Sequence, residues 1–167
     1  SLNKTCSIAL IDPGANVNFI LKEVAEEMGL CSYPTEIHLR VIDSEYVPKT
    51  TQLYQLGVQD RYGGHHWMEC IGVESISTAS ALADLEEARV AFPEAPEEAF
   101  QRPVGKVGIL LSMTERHLHS LGGEARGRLR LSNTPLSPCG KVITGLGSQP
   151  SLAIQLSGEC RALQAAV

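Results

Sequence analysis

Basic residues are in short supply. Lys and Arg number 14 against 19 Asp and Glu, for a net charge of −5. No basic stripe of the kind that neutralises phosphates runs through the chain, which argues against nucleic acid as a partner. Long apolar runs are also lacking. The longest, VGILLSM from Val107 to Met113, is far too short to span a bilayer, so no membrane partner is expected. There is no Cys-x-x-Cys. Cys6, Cys31, Cys70, Cys139 and Cys160 are scattered and odd in number. They read as reduced thiols in a cytoplasmic setting, mostly as small core residues, with one disulfide left open by spacing alone. His65-His66 and His117-x-His119 have no Cys or carboxylate partners at ligand spacing on one helix face, so they read as loop and surface histidines. Neither a metal nor a cofactor is implied. Ser7, Ser112 and Ser120 lack the strained elbow a serine nucleophile needs. The Gly-x-Gly of TGLGSQP has no helix after it and reads as a turn. No leader-like stretch opens the chain, which starts at Ser1, and the expectation is a piece of something longer.

What is present suits one folded domain. The 167 residues are 43% hydrophobic and 20% charged, enough to bury a core. CSIALI (Cys6 to Ile11) is an apolar run that ends at Asp12 and predicts a buried strand. NVNFI (Asn16 to Ile20) predicts another. Leu21, Val24, Ala25 and Met28 then fall at helical spacing, with Gly29 placed to end the helix. Ile37, Leu39 and Val41 alternate in Thr35 to Asp43, and Val47 to Asp60 follows, which predicts a hairpin with its tip near Ser44 to Tyr46. A second hairpin turns at DRYGGHH, where Gly63-Gly64 supply positive φ, and returns through Trp67 to Ile76. Trp67, the only tryptophan, reads as a core residue.

Residues 77–105 change character. They are rich in Ala, Glu and Pro, and Pro93, Pro96 and Pro103 forbid one continuous helix. A short helix from Ala79 to Val90 inside an insertion or long surface connection is expected. Lys106 to Met113 predicts a buried strand, TERHLHSL a helical turn, and CGKVITGL a strand bounded by glycines. Residues 148–167 form a tail with no clear assignment.

The Asp-Pro-Gly at 12–14 is the chemical question. Alone it favours a plain turn, because Asp caps, Pro presets φ and Gly accepts positive φ. Its setting differs, since an apolar strand delivers the Asp into a tight Gly loop. An aspartic peptidase needs two carboxylates sharing one proton. No other Asp-x-Gly exists: Asp43, Asp60 and Asp84 lie in Asp-Ser-Glu, Asp-Arg-Tyr and Asp-Leu-Glu. A catalytic Asp12 therefore requires Asp12 of a second copy across a two-fold axis.

ALIDPGANVNFILKEVAEEMGL resembles the start of retropepsin-like aspartic peptidase domains. GVESIS, the insertion after it, KVGILLSM and CGKVITG resemble, in order, later segments of the BEL/Pao retrotransposon branch. The likeness covers roughly residues 5–146. It implies a mainly β fold: a retropepsin-like closed barrel with one or two short helices over residues 1–147, packed as a two-fold homodimer. It also implies an aspartic endopeptidase of a retroelement-type polyprotein, or of a host gene derived from one, whose partners are itself and a peptide substrate. Position by position, Asp12 matches the catalytic aspartate, Gly14 the loop glycine and Ala15 the small residue after it. The Thr35 to Asp60 hairpin matches the flap, with Asp43, Ser44, Glu45 and Tyr46 at its tip. Ile109, Leu110 and Leu111 match the strand behind the catalytic loop. Two positions depart. Pro13 replaces a Thr or Ser whose hydroxyl and N–H bridge the two loops, and Pro lacks both donors. Ser112 replaces a glycine that allows close approach. These departures open a second reading, a catalytically inactive dimerisation or peptide-binding module.

Overall fold

The computed structural model describes residues 7–39, 47–76, 83–101, 105–145 and 152–156. Its first sheet forms around a pair of apolar strands. β1 (Ser7–Asp12) lies parallel to β6 (Val107–Ser112), with Ala9 beside Ile109, Leu10 beside Leu110, Ile11 beside Leu111 and Asp12 beside Ser112. Both faces of this pair are covered. Ala9, Ile11, Ile109 and Leu111 enter the main core, while Ile8, Leu10 and Val107 join a second cluster with Ile76 and Leu110. Burial on both faces explains why these strands read as unbroken apolar runs rather than alternating ones.

β2 (Asn18–Leu21) runs antiparallel to β6 on its other side, so β6 sits between β1 and β2. The loop from Pro13 to Val17 must therefore cross the end of β6. α1 (Lys22–Glu27) follows at once and packs Val24, Ala25 and Met28 into the main core. Gly29, at φ 65°, ends it. Leu30 N–H bonds Ala25 O at 3.0 Å and Gly29 N–H bonds Glu26 O at 2.9 Å, the paired closure that a left-handed residue permits.

β3 (Ser32–Leu39), β4 (Val47–Gln59) and β5 (His65–Val73) form an antiparallel meander, and β5 pairs in parallel with β2. Pro34 is tolerated because β3 is an edge strand. The β4–β5 turn uses a single left-handed glycine, Gly63 at φ 83°; Gly64 is not in that region. Instead the Asp60 carboxylate caps the turn, accepting from Tyr62 N–H and Gly64 N–H, both at 2.8 Å. The tip of the β3–β4 hairpin, Asp43, Ser44, Glu45 and Tyr46, lies outside the described residues.

β10 (Leu152–Leu156) pairs antiparallel with β1, giving part of the expected tail a place in the sheet. The seven strands stand in the order β10-β1-β6-β2-β5-β4-β3. The fold is mainly β, but the closed barrel is not seen. The sheet ends in β10 on one side and β3 on the other, and among the described residues no backbone bonds join those two edges.

A separate three-stranded sheet holds β7 (Leu121–Arg126), β8 (Leu129–Asn133) and β9 (Lys141–Gly145). The weakly alternating ARGRLRLS stretch divides at Gly127, which takes φ 61°. Residues 83–101 cover this sheet. α2 (Leu85–Ala91) is capped by Asp84, whose carboxylate accepts from Glu87 N–H at 3.0 Å. A 3₁₀ turn follows at Glu97–Phe100. Ala88, Phe92 and Phe100 bury against Leu129 and Ile143. The segment expected as an insertion or long connection thus carries a core of its own. Arg126 lies over the Phe92 ring and pairs with Glu94, and Arg89 lies over Phe100 and pairs with Glu97. These pairs are exposed and add little stability by charge alone.

Phe92 is fully buried at the centre of this second core. Phe92→Ala should lower unfolding stability by about 3–5 kcal/mol, the usual cost of emptying an aromatic site. Urea denaturation followed by circular dichroism checks this, and a loss below about 1 kcal/mol would mean that the α2 segment is not packed on the small sheet.

Candidate active site

Asp12 is delivered to the end of β1 by the buried pairing with β6, and the chain turns immediately. Ala15 N–H closes the turn on Asp12 O at 3.2 Å. With no N–H on Pro13, the Asp12 carboxylate takes its bond from the next residue: Oδ1 accepts from Gly14 N–H at 2.8 Å. A Cβ on Gly14 would lie 3.1 Å from that same oxygen, a tight contact that would make the carboxylate shift by a few tenths of an ångström. Among the described residues, Oδ2 has no hydrogen-bond partner. Asp12 and Ala15 are half-buried, while Pro13 and Gly14 are exposed at the tip. Ala15 O accepts from Met113 N–H at 3.0 Å, which fastens the far side of the loop to the chain leaving β6.

Ile109, Leu110 and Leu111 flank β1 in register. Ser112 is fully buried, with 0% exposure, and is not a misfit. Its N–H and Oγ–H both reach Asn18 Oδ1, at 2.9 and 3.0 Å. Its Oγ accepts from Thr114 N–H at 3.3 Å, capping the 3₁₀ segment Met113–Leu118. Its carbonyl accepts from His119 Nε2 at 2.7 Å. His119 is therefore a buried structural residue rather than a surface one.

Asn18 joins these groups. Its Nδ2 donates to Glu69 O and to Glu115 Oε1, both at 3.1 Å, while Oδ1 serves Ser112. Sequence reasoning placed Asn18 in a strand but missed this role. The available signal was a polar amide inside the otherwise apolar NFIL. Glu115, also missed, keeps only 13% of its side chain exposed and sits 3.9 Å from His117 Nε2. The His117 ring lies 5.1 Å from that of His66, which bonds Asp60 Oδ2 at 2.8 Å. Among the described residues no cluster of His, Cys, Asp or Glu could hold a metal ion. Cys31, Cys70 and Cys139 are free, and burial pushes the Cys70 thiol far up, which suits an inert core residue.

An open groove of about 410 Å³ starts at Asn16 and Val17, on the far arm of the loop. Asp12 is not part of its lining. Leu53, Gln55, Trp67, Glu69 and Ile71 of β4 and β5 form its floor, and Thr114 and Glu115 close one side. Trp67 is 39% exposed, so it is a groove residue and not the core residue expected. It stands opposite Gly57, where an added Cβ would run into the indole ring. Glycine at 57 lets the indole lie flat across β4.

No family model, curated protein or solved structure matches this chain.

Asn18→Ala would orphan the buried Ser112 N–H and the Glu69 carbonyl. The expected loss is about 2–4 kcal/mol in a denaturant titration, against under about 0.5 kcal/mol for a control at exposed Val90. Equal small losses would mean that the amide does not hold this corner. A second outcome concerns acid. The bond from His66, with help from Gly64 and Tyr62 N–H, holds the Asp60 carboxyl below its usual value of 3.8. A carboxyl depressed on folding adds stability above its unfolded value and loses it as pH falls through the folded one. The melting temperature should therefore drop more steeply below about pH 3.8 in the wild type than in Asp60→Asn. Parallel acid limbs would contradict this.

Proposed function

We propose that this chain is an aspartic endopeptidase domain of a BEL/Pao-type retroelement polyprotein, or of a host gene derived from one. It acts as a homodimer, with one Asp12 from each copy. The observation that carries the reading is the setting of Asp12. It stands at the end of a doubly buried strand, in a loop whose tip is exposed, with one carboxylate oxygen bonded by Gly14 N–H. That is a rigid mount for a carboxylate that must meet its twin. Two-fold packing belongs to this proposal, as does the flap formed by the β3–β4 hairpin.

The chemistry follows from crowding two like charges. Two carboxylates about 3 Å apart cannot both ionise, so they share a proton. The ionised one takes a proton from water, and that water attacks the scissile carbonyl. The protonated one donates to the carbonyl oxygen as charge develops there. An extended peptide would be gripped by strand addition beneath the hairpin. No cofactor enters this scheme. The free thiols fit a reducing, cytoplasmic setting. Among the described residues, no helix is long and apolar enough to cross a membrane.

Pro13 favours the second reading, a dimerisation or peptide-binding module without activity. It occupies the loop tip and offers neither N–H nor hydroxyl to bridge two copies. Ser112 lends that reading no weight, because its polar atoms are satisfied locally.

The wild type should cleave unfolded polypeptides between about pH 4 and 6, where a shared proton is retained, and Asp12→Asn should abolish cleavage. Pro13→Thr, which restores the missing donors, should raise the rate about tenfold or more, as one or two buried hydrogen bonds allow. Equal inertness of all three proteins, with dimers present by sedimentation, would establish the module instead.

A further inference from the structure

We infer that the groove beside the Asp12 loop binds an extended peptide through a lysine or arginine side chain flanked by aliphatic residues. The inference deepens the peptidase reading and rests on it, since it names the substrate class which that loop would meet. Two carboxylates, Glu69 and Glu115, line the groove, and among the described residues no Lys or Arg does. Each keeps capacity for a cation. Glu69 Oε1 accepts from Tyr33 OH at 2.5 Å and Gln55 Nε2 at 3.0 Å, and Glu115 Oε1 accepts from Asn18. The second oxygens have no such donors among the described residues, apart from His117 at 3.9 Å from Glu115 Oε2. These local bonds fix the carboxylates in place without neutralising them.

The rest of the lining suits the stem of a long basic side chain and its neighbours. Trp67 presents a half-exposed ring, the surface on which a guanidinium or ammonium stacks and along which its methylenes lie. Val17, Leu53 and Ile71 offer apolar contact for aliphatic flanks. An acidic side chain would meet two fixed negative charges, so repulsion supplies specificity as well as attraction.

Trp67 is the only tryptophan, so its emission reports this groove alone. The test uses the Asp12→Asn protein, which separates binding from cleavage, titrated with Trp-free peptides that differ at one position. Peptides with Arg or Lys flanked by Leu or Val should change Trp67 emission. They should bind about fivefold tighter than the Gln peptide, with the Glu peptide weaker still, as partly exposed charge pairs allow. The preference should collapse in about 0.5 M salt, where charges are screened beyond roughly 4 Å. It should also vanish in the Glu69→Gln, Glu115→Gln double variant. The salt series uses an unaltered groove, so it holds even if that variant folds poorly. Equal affinity for Arg and Glu peptides at low salt, or binding that leaves Trp67 emission unchanged, would overturn the inference. A basic preference in a protein whose wild type shows no Asp12-dependent cleavage would remove the catalytic reading alone. Cleavage without the preference would remove this inference alone.

Discussion

The carboxamide of Asn18 is the constraint on which the candidate site depends. An amide offers two donor hydrogens and two acceptor lone pairs, and here all four are used. Oδ1 takes both polar hydrogens of Ser112, and Nδ2 gives to the β5 backbone at Glu69 and to Glu115. One small side chain thereby ties three strands and the 3₁₀ segment at a single point. Fully satisfied networks away from water rigidify their surroundings, whereas a half-satisfied one would be costly. Among the described residues, no buried side-chain N or O lacks a partner.

That point lies where it matters. Ser112 is the residue beside Asp12 in the β1–β6 register, and Met113 holds the far end of the Asp12 loop through Ala15. The backbone under Asp12 is therefore fixed from two sides, while Pro13 and Gly14 remain exposed. Asn18 also steadies Glu115, one of the two carboxylates in the adjoining groove. Loop and groove share one support, so a change that loosens Asn18 is felt at both. In the proposed peptidase, each copy presents one mounted carboxylate and its twin supplies the other.

Much of this architecture was legible in the sequence. Apolar runs marked β1 and β6, the helical spacing from Leu21 to Met28 marked α1, and Gly29 marked its end. Alternation in Ile37, Leu39 and the residues after Val47 marked the long hairpin. What escaped was decided by tertiary contact. Trp67 reads as core by size alone, yet a glycine on the neighbouring strand lets its ring lie on an open face. The Ala- and Pro-rich segment after residue 77 looked like a connection because its helix is short and its prolines frequent. Only the small sheet beneath it shows why Phe92 and Phe100 are there. Ser112 looked like a defect when measured against a family pattern. Its partner is distant in sequence and carries no motif, so spacing could not reveal it. The barrel expected from resemblance depends on how strand edges meet, which local pattern does not encode.

The central claim is that two copies of Asp12 make one site. Wild-type protein refolded together with an equal amount of Asp12→Asn tests it most directly, because random pairing removes half of the wild-type chains into mixed dimers. The account predicts that cleavage per wild-type chain falls to about half of that in the wild type alone, as obligate two-fold symmetry requires. Activity per wild-type chain that stays unchanged on mixing, or wild-type protein with no Asp12-dependent cleavage, would contradict it.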